Sequence, residues 1–200
     1  ISDMIFGLDV YNKEVLEPSA GSGNIVDVLN DLGANVSACE IEPKLRNLLQ
    51  NKCDLIGDDF LKLTKEDCSH FNLIIMNPPF SADETHIIHA WNVAPSGCEI
   101  ISLCNNNTLS NTYSRNRREL MSIINNYGQS KNLGNVFSEA ERETDVEIGM
   151  VRLFKPMTES DDFSMFFETE DSDISSSVEG IMPYNAIRDI VQRVVGAMKI

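Results

Sequence analysis

The stretch EVLEPSAGSGNIVDVLNDLGANVSACE, residues 14–40, decides the fold. A short apolar run, EVLE (14–17), passes through Pro18-Ser19-Ala20-Gly21-Ser22-Gly23 straight into NIVDVLNDLG (24–33). There Ile25, Val26, Val28, Leu29 and Leu32 recur at helical spacing, and Gly33 supplies a stop. A second apolar run, NVSACE (35–40), follows at once. Strand, helix and strand in this order form a β-α-β unit, whose two strands run parallel because a crossover helix lies between them.

The pattern repeats outward from this unit. Further runs are DLIGD (54–58), FNLIIM (71–76), CEIISLC (98–104), SKNLGNVF (130–137) and DVEIGMVRLF (145–154). Glu42 and Pro43 suit the first turn of a helix that continues through Leu45, Leu48 and Leu49. DETHIIHAWNVA (83–94) reads as another helix, and the polar stretch NNNTLSNTYS (105–114) leads into RNRRELMSIINN with Ser114 as N-cap. The last two runs have no helix between them and predict an antiparallel pair closing the sheet. The expected fold is α/β and doubly wound: a seven-stranded, mostly parallel sheet with an antiparallel closing strand, covered by helices on both faces.

Composition narrows the function classes. Of 200 residues, 31 are acidic and 16 basic, a formal net charge of -15, the wrong sign for a surface that grips phosphates by itself. Any nucleic-acid contact is therefore local or borrowed from elsewhere. Residues 157–200 carry nine acids and three bases and read as an acidic, serine-rich linker followed by a helix over 181–200, or as the start of a further domain. Five cysteines (Cys39, Cys53, Cys68, Cys98, Cys104) contain no CxxC pair, and four sit in or beside strand-like runs, as core thiols of a reduced cytoplasmic protein do. No apolar run approaches the ~20 residues of a membrane span, and the acidic N-terminal ISDMIFGLDV is too short for a signal peptide. An opening Ile and a close inside an apolar helical pattern suggest a fragment of a longer protein.

Four strand ends carry chemistry. Gly21 and Gly23 allow a tight turn that lets backbone approach a ligand, although a plain structural turn has the same composition. Glu40 lies about twenty residues on, the spacing at which a carboxylate takes both hydroxyls of a ribose; a helix-start acid favoured by the dipole is the alternative. Gly57-Asp58-Asp59-Phe60 offers a carboxylate for an adenine amino group and an aromatic face, or else an acidic loop with one core Phe. The fourth run is followed by Asn77-Pro78-Pro79-Phe80. Two prolines at the end of a buried strand cannot donate ladder hydrogen bonds, so they hold the chain in an extended turn that aims Asn77 outward. An aryl amine is a poor nucleophile because its lone pair is delocalised. The Asn77 side-chain oxygen and the Pro78 carbonyl would polarise it by accepting from its two N–H bonds.

With these motifs in this order, the chain resembles the amino-methyltransferase branch of the class I S-adenosylmethionine-dependent enzymes, particularly the DNA adenine (N6) methyltransferases of restriction-modification systems. The resemblance covers nearly all of residues 14–156, a methyltransferase domain of 1–156, and rests on VLEPSAGSG, ACEIEP, GDDF and FNLIIMNPPF. It implies S-adenosyl-L-methionine as cofactor, held by Glu17, Pro18, Ser19, Ala20, Gly21, Gly23, Glu40, Ile41, Asp58, Asp59, Phe60 and Asn77. Glu17, Gly21 and Gly23 would take its methionine part, Glu40 its ribose, and Asp59 its adenine amino group with Phe60 against the ring; Asp58 takes the carboxylate role if the match slips by one. Asn77, Pro78, Pro79 and Phe80 would form the catalytic segment, with Phe80 stacking on the target ring. It also implies direct displacement at the methyl group without a metal, and a duplex adenine flipped into the pocket.

The chain departs from that family in two respects: the segment before the first strand is short, and a separate domain that reads DNA sequence is absent. Recognition of DNA is therefore expected from a missing domain or a partner subunit. Arg115, Arg117 and Arg118 could grip a phosphate or form a solvated helix face. The loop SEAERETD (138–145) could close the acceptor pocket or be a charged hairpin tip. His86 and His89 lie three apart with no third ligand in sight, so no metal is expected, and Trp91 reads as core. The Asn-Pro-Pro-aromatic segment also serves RNA-base and protein-glutamine methyltransferases, and a cofactor-binding subunit without activity would share the same pocket; Phe80 rather than Tyr leans toward a base.

Overall fold

The structure is a computed structural model that describes residues 1–135 and 146–157. The loop 138–145, the C-terminal end of the run expected at 130–137, and residues 158–200 with the acidic arm and its expected helix lie outside the described residues. Seven strands form one sheet: β1 (Glu14–Glu17), β2 (Asn35–Cys39), β3 (Asp54–Gly57), β4 (Leu73–Met76), β5 (Glu99–Asn105), β6 (Gly128–Gly134) and β7 (Ile148–Phe154). Their order is β3-β2-β1-β4-β5-β7-β6. β1 pairs in parallel with both β2 and β4, β4 pairs in parallel with β5, and β7 runs antiparallel to both β5 and β6. The expected fold class is the observed one, including the antiparallel closing pair.

Period-two patterning sorts the strand side chains onto two faces. Leu73 and Ile75 of β4 join Val15, Val36 and Ile101 in one cluster, and Ile74 and Met76 join Leu16, Cys39 and Ile100 in the other. Helix α1 (Ser2–Ile5) and helix α2 (Asn24–Asp31) contribute Met4, Ile25, Val26 and Leu29 to the first face. Helices α4 (Asp83–Val93) and α6 (Arg115–Tyr127) contribute Ile87, Ala90, Leu120 and Ile124 to the second. Such two-sided burial explains why these strands read as unbroken apolar runs.

Several elements differ from expectation. Helix α3 (Pro43–Leu49) forms behind Glu42 and Pro43 as expected, yet only Leu49 is buried and Leu48 is 56% exposed, because it lies at the outer edge beside β3, whose side chains are themselves half-exposed. A short helix α5 (Asn106–Ser110) occupies the polar stretch, started by the Asn105 side chain accepting from the Asn107 N–H at 2.9 Å. Ser114 caps α6 as expected, accepting from the Arg117 N–H at 2.9 Å. β6 begins directly after α6 at Gly128, two residues before the expected run.

Ile74 sits opposite Leu16 on one side and Ile100 on the other, fully buried. Ile74→Ala should lower unfolding stability by about 2–5 kcal/mol, measured by urea denaturation, through lost transfer energy and a residual cavity. A loss below about 1 kcal/mol would contradict its central placement.

Candidate functional site

Strand order reverses between β1 and β4, which lie side by side with their helices on opposite faces; a crevice at the carboxyl tips is the geometric consequence. The β1 tip runs into the loop 18–23. Gly21 and Gly23 have φ of +56° and +91°, values that L side chains rarely adopt. A Cβ on Gly21 would meet nothing within 4 Å, whereas one on Gly23 would stand 2.9 Å from Leu49 Cδ2. Gly21 thus presents bare backbone to open space, and Gly23 lets the loop close onto α3.

Glu40, at the tip of β2, holds this loop. Its Oε2 accepts from the Gly21 N–H at 2.7 Å and its Oε1 from the Glu42 N–H at 2.8 Å, and the Ala20 N–H donates to the Cys39 carbonyl at 3.1 Å. Both expected readings of Glu40 bear on this geometry, because it ties down Glu42, the residue that opens α3, while each oxygen keeps a second lone pair for a hydroxyl. Ile41 beside it is 71% exposed.

Glu17 is the anomaly of the site. It is 1% exposed, and neither carboxylate oxygen makes a well-aligned hydrogen bond, although the Ser19 amide lies close enough to favour its charged form. Burial pushes its carboxyl up to about 8; the Ser19 amide offsets part of this and the charge of Glu40 adds to it. A buried, unsatisfied carboxyl is costly unless something cationic or hydrogen-bonding meets it.

At the β3 tip the two acids differ. Asp59 is fixed as the cap of a 3-10 turn (Phe60–Lys62), its Oδ1 accepting from the Leu61 N–H at 3.1 Å, and its Oδ2 lies 3.6 Å from Lys62 Nζ. Asp58 is exposed and lines a hollow of about 470 Å³ with Arg46 and Gln50, along the outer edge of the sheet. Phe60 is 2% exposed and packs among His86 (ring centroids 6.1 Å) and His89 (4.8 Å, edge-on). The expectation that Phe60 offers a face to an adenine does not suit this placement; of its two readings, the core Phe matches. His86 Nδ1 donates to the Ala82 carbonyl at 2.9 Å, whereas His89 Nε2 is buried without a well-aligned hydrogen bond, and among the described residues no group of acids, Cys and His could hold a metal ion.

Asn77 follows β4 and is exposed, and no hydrogen bond ties its side chain among the described residues. Pro78 is buried, Pro79 is exposed with its carbonyl accepting from the Ala82 N–H at 2.9 Å, and Phe80 is half-buried against the first core cluster. Trp91 lies on the other face, between Tyr127 and Lys155.

Sequence reasoning missed Asp83. This acid is 2% exposed and accepts from the Asn105 N–H (2.7 Å), the Thr108 hydroxyl (3.0 Å) and the Glu84 N–H (2.6 Å), joining α4, the β5 tip and α5. Burial raises its pKa despite these bonds. The available signal was an Asp-Glu pair opening the helix just after the diproline segment. Arg117 is also committed: its Nε donates to Glu84 Oε2 at 2.7 Å.

No protein-family model and no curated protein matches the chain. Among solved structures, a dimethyladenosine transferase from Plasmodium falciparum is 17% identical with a TM-score of 0.59, over 84% of this chain and 64% of that one. The 23S rRNA methyltransferase ErmE is 15% identical with a TM-score of 0.52, over 80% and 72%. A TehB-like SAM-dependent methyltransferase from Corynebacterium glutamicum is 12% identical with a TM-score of 0.53, over 77% and 86%. The chain has the Rossmann-like fold of these methyltransferases.

The state of Glu17 has a measurable consequence. With a folded value near 8 against an ordinary 4.5, the folded protein holds a proton between these limits that the unfolded chain has released. Stability is therefore full below the ordinary value and is lost as pH rises toward 8. Urea denaturation from about pH 5 to 8 should show the wild type losing stability relative to Glu17→Gln. Parallel pH profiles for the two proteins would contradict the burial of an unpaired carboxyl.

Proposed function

We propose that the chain transfers a methyl group from S-adenosyl-L-methionine to an exocyclic amino group of a nucleobase, with the N6 of a DNA adenine as acceptor, as in restriction-modification methyltransferases. Residues 1–156 form the catalytic domain in this reading. The observation that carries it is the pairing at one sheet edge of an exposed Asn77 on a diproline corner with a glycine loop, Glu17 and Glu40.

The residues present suit the cofactor. The orphaned Glu17 carboxylate matches the methionine ammonium, the open space over Gly21 admits a close approach, Glu40 has lone pairs for the ribose hydroxyls, Ile41 offers apolar surface, and Asp59 or Asp58 offers an acceptor for the adenine amine. When bound, the cofactor supplies a methyl group already activated on a sulfonium. The work of the chain is then positional and electrostatic. Asn77 Oδ1 and the Pro78 carbonyl accept from the two N–H bonds of the target amine, which holds its nitrogen in place and stabilises the positive charge that grows on it. The prolines keep this corner stiff, and Asp83 fixes the start of α4 just beyond it. Phe80 supplies the ring that replaces stacking lost by an extruded base.

An RNA base is the second reading, favoured by the names of two fold neighbours, a 23S rRNA methyltransferase and a dimethyladenosine transferase.

Incorporation of labelled methyl groups into DNA and RNA, with ribosomal and release-factor proteins as further acceptors, tests this. Asn77→Ala should lower kcat/KM about 100- to 1,000-fold, the loss typical of one preorganised polar group at a reacting centre, with cofactor binding retained. Full activity in Asn77→Ala would refute the assigned role. Cofactor binding without transfer to any acceptor would instead favour a subunit without activity.

A further inference from the structure

We infer that Tyr113 is a base-stacking residue and that the loop from the β5 tip to the first turn of α6, residues 105–118, is the patch through which this acidic chain meets a DNA strand beside the target base. This deepens the proposed reading and rests on it.

Charge points to the patch first. Residues 100–135 contain Arg115, Arg117, Arg118 and Lys131 against a single acid, Glu119, in a chain whose net charge is -15. Arg117 is neutralised by Glu84. Arg115 and Arg118 are exposed, and among the described residues neither is within ion-pair distance of a carboxylate. Within residues 105–118 two cations are therefore left for phosphates.

Placement comes second. The loop is fastened to the first turn of α4, three residues beyond Phe80. Asp83 holds the Asn105 N–H and the Thr108 hydroxyl, and Glu84 takes the Ser114 hydroxyl at 3.2 Å and Arg117 Nε at 2.7 Å. Both ends of the loop are thereby tied to the helix that leaves the diproline corner.

Tyr113 itself is the third observation. Its side chain makes it the most exposed large hydrophobic residue among those described, at 89%. Its backbone is nonetheless held on both sides: the Tyr113 N–H donates to Asn111 Oδ1 at 3.2 Å, and Arg118 Nη1 donates to the Tyr113 carbonyl at 3.0 Å. Arg117 Nη1 reaches the Asn111 carbonyl at 3.4 Å. A ring whose backbone is already ordered gives up little further freedom on stacking, and a base offers a π-face whatever its identity. One exposed aromatic needs no explanation by itself; one anchored by arginines next to an acceptor corner fits a nucleotide flanking the target.

Anisotropy of a labelled single-stranded DNA oligonucleotide containing adenine, with the matching RNA in parallel, tests this on the full chain. Tyr113→Ala should weaken binding about 5- to 150-fold, Tyr113→Phe should bind like wild type, and Arg115→Gln should reduce the slope of log affinity against log salt by about 0.7. Cofactor affinity, measured by calorimetry, should be the same in all of them. Equal DNA binding by wild type and Tyr113→Ala would overturn the inference and leave methyl transfer by Asn77 standing. No oligonucleotide binding by the wild type would overturn both, and tighter binding of RNA than DNA would overturn the choice of DNA. Tyr113-dependent DNA binding without methyl transfer would support the patch while refuting the base-methylation reading.

Discussion

Parallel pairing of β1 with both β2 and β4 is the constraint from which the site follows. Parallel strands need a crossover that returns the chain to the starting end of the sheet, so each carboxyl tip is left on the same edge. The tips then carry the loops that vary, and the apolar runs beneath carry the stability. Because β1 is followed by a helix on one face and β4 by a helix on the other, the chain parts above these two strands, and the groups at the opening are Glu17, the glycine loop and Asn77.

Three carboxylates at this edge show how the same chemistry is used differently. Asp83 collects three donors and acts as a fastening between α4, β5 and α5. Glu40 collects two backbone N–H groups, one from each side of its own strand tip, and so joins the β1 loop to the start of α3. Glu17 collects none. Fastening explains the first two; it does not explain the third, since an apolar residue of similar size would pack β1 at no desolvation cost. A carboxyl retained in the core without a well-aligned hydrogen bond is the feature of this edge that the proposed cofactor's ammonium would satisfy.

Most of the fold was legible because the helical and strand periods were clean. NIVDVLNDLG has its apolar residues on one stripe and its stop at Gly33, and FNLIIM is buried on both faces, so each could be read without its neighbours. The candidate site was legible as far as local turn chemistry carries: glycines at positive φ, and a diproline that leaves Asn77 outside. What escaped depends on distant partners. Asn-rich segments read as loop because their side chains compete with the backbone, yet Asn105 turns that competition into a cap for α5. Of the two readings of Phe60, ligand face or core residue, enclosure by α4 fits the second, and Arg117, read as a phosphate contact or a solvated face, is claimed instead by Glu84, 33 residues away. Leu48 had the right period for burial but stands at the sheet edge, where little remains to cover it.

The distribution of charge joins the fold to the proposed acceptor. Screening at physiological salt confines an exposed charge to a range of about 8 Å, so a net charge of -15 does not by itself prevent a nucleic-acid strand from docking where acids are sparse. In this chain acids are sparse over residues 100–135, which include the β5 tip adjoining the diproline corner. Long-range repulsion from the rest of the surface would slow encounter and weaken nonspecific binding. In the proposed reading a base would reach Asn77 through short-range contacts with a small patch, and the burden of recognition would fall on stacking and on two arginines rather than on overall electrostatic attraction.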